Sequence, residues 1–226
     1  MTALLVLATV IVFLVIDFFY GRKPALQVAE QPARRPSRAL EARPVPAMVS
    51  GFRLPENLRY HPGHTWALSE SPNLVRVGFD DFAARLVGHI DSITLPQRGQ
   101  WVRQGQKLCT LKRNGATVDM LSPIEGTVTE INEALLQSPA AAPGDPYGEG
   151  WLVTVHSPDA KINFRNLLGG ALARWWMEEA ATRLQRQMPT AYGAAYAQDG
   201  GLAVESITAE MNDTQWQAMA REFFLS

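Results

Sequence analysis

Apolar positions along the chain change period three times. Residues 3–16 are almost continuously apolar, and Phe18, Phe19 and Tyr20 carry the run past Asp17. At about 1.5 Å per residue a helix of this length approaches the roughly 30 Å hydrocarbon core of a bilayer. From Leu58 to His156 the pattern becomes short apolar runs with period-two character, broken by glycines and prolines. Leu74–Val77, Ile90–Leu95, Lys107–Lys112, Gly126–Ile131 and Trp151–Val155 read as strands. Gly99, Gly105, Asn114-Gly115 and Gly126 fall where turns are needed, and Asp80–Leu86 reads as a short helix with Asp80 as its N-cap. Many short strands at close spacing predict a mainly β sandwich or flattened barrel. After Ser157-Pro158 the period is helical. Leu168, Leu172, Trp175 or Trp176, Ala180 and Leu184 predict one helix over 162–188, stopped by Pro189. A loose loop over 193–201 leads to a second helix, capped by Asn212 or Asp213, with Trp216, Met219, Ala220 and Phe223 on one stripe.

The flanks of the first segment decide how it is read. No Lys or Arg precedes it and no small-x-small site follows it, which disfavours a cleaved signal peptide. Arg22 and Lys23 come directly after it, with Arg34, Arg35 and Arg38 further on, so the positive-inside rule places the C-terminal side in the cytoplasm. Asp17 lies within a turn of that basic end, where a headgroup-level carboxylate costs little. Pro24, Pro32, Pro36, Pro44 and Pro46 then mark a semi-rigid linker. The expected organisation is a single-pass transmembrane anchor at 1–20, a Pro/Arg-rich linker at 21–50, a β domain at 51–158 and a helical extension at 159–226.

Composition narrows the function. A formal net charge of -1 over 226 residues gives no electrostatic reason to expect nucleic acid. One cysteine, Cys109, cannot close an internal disulfide, and flanked by Leu108 and Leu111 it reads as a small buried hydrophobe. Four scattered histidines and no Cys-x-x-Cys pair argue against a structural metal. No Ser-His-Asp arrangement or phosphate-binding glycine loop is present, so the chain does not read as an enzyme. Asp80, Asp81 and Asp91 have no evident partner and read as caps or solvated groups.

Several motifs are familiar in their order and spacing. Tyr60-His61-Pro62-Gly63-His64-Thr65-Trp66, Val77–Ala83 through Leu86–Ile90, Ser122-Pro123-Ile124-Glu125-Gly126 and, most specifically, Asp145-Pro146-Tyr147-Gly148-Glu149-Gly150-Trp151 resemble the glycine cleavage H protein. The resemblance implies a lipoyl-domain-like fold (a barrel-sandwich hybrid), with the closing helix of the family matched by 210–224. The helix over 162–188 then looks like an insertion before that ending. Trp175 and Trp176 on it point about 100° apart, so the two need not face the same core; both are candidate contacts for a partner or a membrane interface, and packing of the helix on the β domain is the equal alternative.

The family's lipoylated lysine stands four residues before the Asp of Asp-x-x-Ser-Pro. Here that Asp is Asp119, and the lysine's position is Gly115. The family's Glu-Ser-Val-Lys run is replaced by Lys112-Arg113-Asn114-Gly115. Glycine offers no amine, and Asn-Gly is the preferred pair of a type I′ turn, which makes it the hairpin apex. Lys112 then lies roughly 7 Å back along the strand at about 3.4 Å per residue. The Lys112-Arg113 pair reads as a solvated edge or partner contact. The expected protein carries no cofactor and serves as a non-catalytic docking or scaffold subunit of a membrane complex. Its rival is a lipoyl carrier with lipoate displaced to Lys112, serving redox or one-carbon chemistry. Metabolite sensing through the old arm groove is a third reading, without direct support.

Overall fold

A computed structural model describes residues 47–188 and 211–225. Two short antiparallel strands open it, β1 (Ala47–Val49) and β2 (Phe52–Leu54). Next come β3 (Arg59–His61), β4 (Thr65–Ser71), β5 (Leu74–Phe79), helix α1 (Asp81–Val87), β6 (Ser92–Thr94) and β7 (Trp101–Val102). The β8 (Lys107–Arg113) and β9 (Ala116–Leu121) hairpin is followed by β10 (Gly126–Ile131), α2 (Glu133–Gln137), α3 (Ala141–Gly144) and β11 (Val153–His156). Helices α4 (Ala160–Arg165), α5 (Gly170–Gln187) and α6 (Asp213–Phe224) complete the set.

Two sheets form the body of the domain. One runs β3-β4-β5-β11-β10-β7 and the other β6-β8-β9, and every pairing is antiparallel. Alternation puts Val75 and Val77 inward on β5 and Leu111 inward on β8, each fully buried. They share a core with Trp66, Phe79, Phe82, Leu86, Met120 and, from α6, Trp216, Phe223 and Phe224. The mainly β, lipoyl-type expectation holds. So does the Asp80 cap, whose carboxylate accepts from the Ala83 N–H at 2.8 Å. The strand ends differ by one or two residues: Ile90–Leu95 contracts to Ser92–Thr94, and Trp151–Val155 shifts to Val153–His156.

Three expectations are corrected. Residues 47–50 are not linker, because β1 and β2 form a hairpin whose Val49, Phe52 and Leu54 are buried. The helix expected over 162–188 is two helices. Between them Leu168 leaves the helical path to exchange both backbone hydrogen bonds with Tyr60, at 2.9 and 2.8 Å. Leu172 was placed on the core-facing stripe but is exposed, while Ala173, Met177, Ala180, Ala181 and Leu184 face inward. Among the described residues no helix is long and apolar enough to cross a membrane. The expected anchor at 1–20, most of the linker and the 193–201 loop lie outside the described residues.

Candidate functional site

The β8–β9 hairpin is the place to look for carrier chemistry. Arg113 pairs with Ala116, so Asn114 and Gly115 alone make the turn. Their φ values of 48 and 88° define the type I′ geometry that Asn-Gly favours. The apex is held from two sides. Asn114 donates its backbone N–H to Asp91, and its side-chain amide to Asp213 at the start of α6, at 3.2 Å. No amine stands there.

Lys112 sits in the middle strand of its sheet, opposite Ser92 on one side and Thr117 on the other, with its side chain exposed. Arg113 does not share that exposure, and the solvated Lys-Arg pair is corrected. Its residue is 7% exposed, Nη1 donates to the Val87 carbonyl at 3.3 Å, and the guanidinium lies 5.3 Å above the Trp216 ring. Burial lowers its pKa, opposed by Asp213 and Asp91. The guanidinium remains charged in any ordinary buffer. Arg113 is therefore an internal strut between the hairpin and α6, and nothing nearby in sequence signals it.

Helix α6 covers the free edge of the hairpin. Gln217 donates to the Thr117 carbonyl at 2.7 Å, and Trp216 Nε1 to the Leu86 carbonyl at 3.0 Å. Its Phe223 packs 5.0 Å from Phe82, which stacks on His64 at 4.1 Å. His64 is buried, 2.9 Å from the Asp80 carboxylate through Nδ1, and Trp176 lies 4.5 Å from its ring. The two tryptophans thus part company: Trp176 is half-buried against His64 and Tyr60, and Trp175 is 61% exposed.

The carboxylates read as isolated are all engaged. Asp80 holds His64, Asp81 holds both Arg53 and Arg85, and Asp91 holds Asn114 and His89. Their partners come from other elements, so local sequence does not reveal them. At the base of the hairpin, Asp119 accepts from Thr110 Oγ1 at 2.6 Å and pairs with Lys107 at 2.9 Å. Partial burial raises its pKa, but these donors outweigh burial and hold the carboxyl below the usual range. Cys109 is buried, and burial together with Asp119 pushes its thiol up to about 12. It is not a nucleophile at neutral pH.

The Asp145–Trp151 segment is structural. The Pro146 carbonyl and the Phe79 carbonyl share the Trp66 indole N–H at 3.0 and 2.9 Å. Tyr147 donates to the Arg53 carbonyl at 2.6 Å and accepts from the Asp81 N–H at 3.0 Å. Asn132 closes the segment with bonds to the Glu149 and Trp151 carbonyls.

Comparison with known proteins places these features. The glycine cleavage H-protein family model matches residues 58–178. A glycine cleavage system H protein from Coprothermobacter proteolyticus is 37% identical over 107 residues, which are 47% of this chain and 84% of that protein. One from an Anaeromyxobacter species is 33% identical over 128 residues, 57% of this chain and 98% of the relative. Among solved structures, a glycine cleavage system H protein from Mycobacterium marinum aligns over 46% of this chain and 87% of its own, at 28% identity and a TM-score of 0.43.

Proposed function

Since the chain belongs to the glycine cleavage H-protein family, we propose that it is a non-lipoylated member, tethered to a membrane by residues 1–20 and serving as a non-catalytic docking or scaffold subunit. The observation that carries this reading is the hairpin apex. Family membership implies an amine at position 115, and a two-residue Asn114-Gly115 turn stands there instead. The apex is bonded to Asp91 and to α6, whereas a swinging arm needs a free attachment point.

Lys112, the alternative attachment point, lies within the strand ladder rather than on the turn. A modifying enzyme that recognises the turn meets it displaced and beside an internal strut. What remains is the family scaffold, whose match runs to residue 178 and so takes in the first half of α5 rather than leaving it as an insertion, and α5 offers Trp175 and Leu172 to solvent, 61% and 54% exposed. Exposed aromatic side chains are enriched at protein interfaces. The soluble part would face the cytoplasm, from the basic residues that follow the apolar run.

Affinity purification of the full chain from detergent-solubilised native membranes tests the proposal. Stoichiometric co-purification of other subunits is expected, and Trp175→Ala is expected to reduce their recovery. Recovery of the chain as a monomer, from the soluble fraction, would contradict both the tether and the scaffold role.

A further inference from the structure

The outward side of α5 carries more than its tryptophan. At about 100° per residue Leu172, Trp175, Glu178, Glu179, Thr182 and Arg186 share one stripe, and all six are exposed. Leu172 and Trp175 make an apolar patch near the start of the helix, and Glu178 and Glu179 follow within a turn.

A glutamate on a helix surface can be neutralised by an arginine four residues away. Both arginines so placed on α5 are drawn into the domain instead. Arg174, four residues before Glu178, pairs with Glu56 at 2.9 Å. Arg183, four residues after Glu179, lies 3.9 Å from Glu222 and 4.7 Å above the Phe223 ring. Neither Glu178 nor Glu179 makes an ion pair among the described residues. Their charge decides between the two surfaces that an exposed tryptophan suits. An anionic leaflet attracts each nearby Lys or Arg by about 1 kcal/mol and repels carboxylates, so two unneutralised glutamates beside Trp175 oppose a lipid contact. A protein with a cation facing them gains from the same two charges.

We propose that this stripe docks a segment of another protein that combines an apolar pocket with basic side chains. The pocket takes Trp175 and Leu172, and Lys or Arg side chains face Glu178 and Glu179. The inference rests on the reading of the chain as a docking subunit and names the chemistry of the partner it docks.

Photo-crosslinking of the full chain in its native cells tests it, with p-benzoylphenylalanine in place of Leu172. A link to one protein other than this chain is expected, and the linked peptide, sequenced by mass spectrometry, should carry Lys or Arg within about one helical turn of the attachment. Glu178→Lys combined with Glu179→Lys should cut the yield roughly tenfold or more. The corresponding pair of changes to Gln should cut it less, because only reversal adds like-charge repulsion. Both glutamates are exposed, so these variants leave the core intact. Glu130→Lys, exposed on β10, is the control and should change nothing. A link to lipid, to a second copy of this chain or to a peptide without basic residues would overturn the proposal, as would a yield indifferent to charge reversal. Co-purification reads the docking role by itself. Subunits that co-purify without linking at position 172 would therefore sink this surface alone, and loss of both signals would sink the docking reading with it.

Discussion

Among the described residues nothing lies within 4 Å of the Cβ that Gly115 lacks, yet its φ of +88° is one that side chains rarely adopt. Gly115→Ala is therefore expected to cost about 1–2 kcal/mol, all of it backbone strain, as read by urea unfolding. Gly126 is the contrasting case. Its φ is +153°, and a Cβ there would overlap the His156 carbonyl oxygen, so Gly126→Ala should cost more than Gly115→Ala by the same measurement. Cys109 gives a chemical readout: with its thiol pushed up to about 12, iodoacetamide at pH 8 should label it only after unfolding. His61 gives the pH dependence. Burial first, and His64 second, lower its pKa, and its Nδ1 accepts the Gly63 N–H at 3.0 Å, which requires the neutral ring. The unfolded chain takes up a proton near its ordinary value of about 6.5, before the folded one does. Stability should therefore fall as pH drops from about 7 through 6.5 and below, and His61→Gln should flatten that slope.

At the scale of elements, α6 is what distinguishes a covered hairpin from an open one. Trp216 is fully buried, bonded to the Leu86 carbonyl and stacked under Arg113, so Trp216→Ala should cost about 3–5 kcal/mol. Asn212, which accepts the Gln215 N–H as N-cap at 2.9 Å, should cost about 1 kcal/mol when changed to Ala. Trp175→Ala, outward on α5, should leave stability within about 0.5 kcal/mol. Thermal unfolding of the three variants orders them. Features set by neighbouring residues were legible in the sequence: the Asp80 cap, the Asn114-Gly115 turn and the Asn212 cap with its Trp216–Phe223 stripe. Features set across the fold were not. The break before α5 depends on Leu168 meeting Tyr60, and the burial of Arg113 depends on Trp216. The β1–β2 hairpin hid in the linker because its strands are three residues each and follow a proline-rich stretch.

For the whole molecule, the family scaffold persists around an altered carrier position. The signature residues Asp145–Trp151 still lock Trp66, Tyr147 and Asn132, so the loss of the lysine has not loosened the fold. The candidate site was legible as far as the missing amine, which is a matter of counting back from Asp119. Its closure by α6 was not, because Asp213 and Gln217 reach the hairpin from the far end of the chain. The central claim is that this member of the family carries no lipoyl arm. It is tested most directly by mass spectrometry of the protein purified from its native cells, with peptide mapping from Lys107 to Leu121. An unmodified Lys112 and an unmodified peptide throughout are the predicted result. A lipoyl increment on Lys112 would contradict the account and return the protein to the carriers.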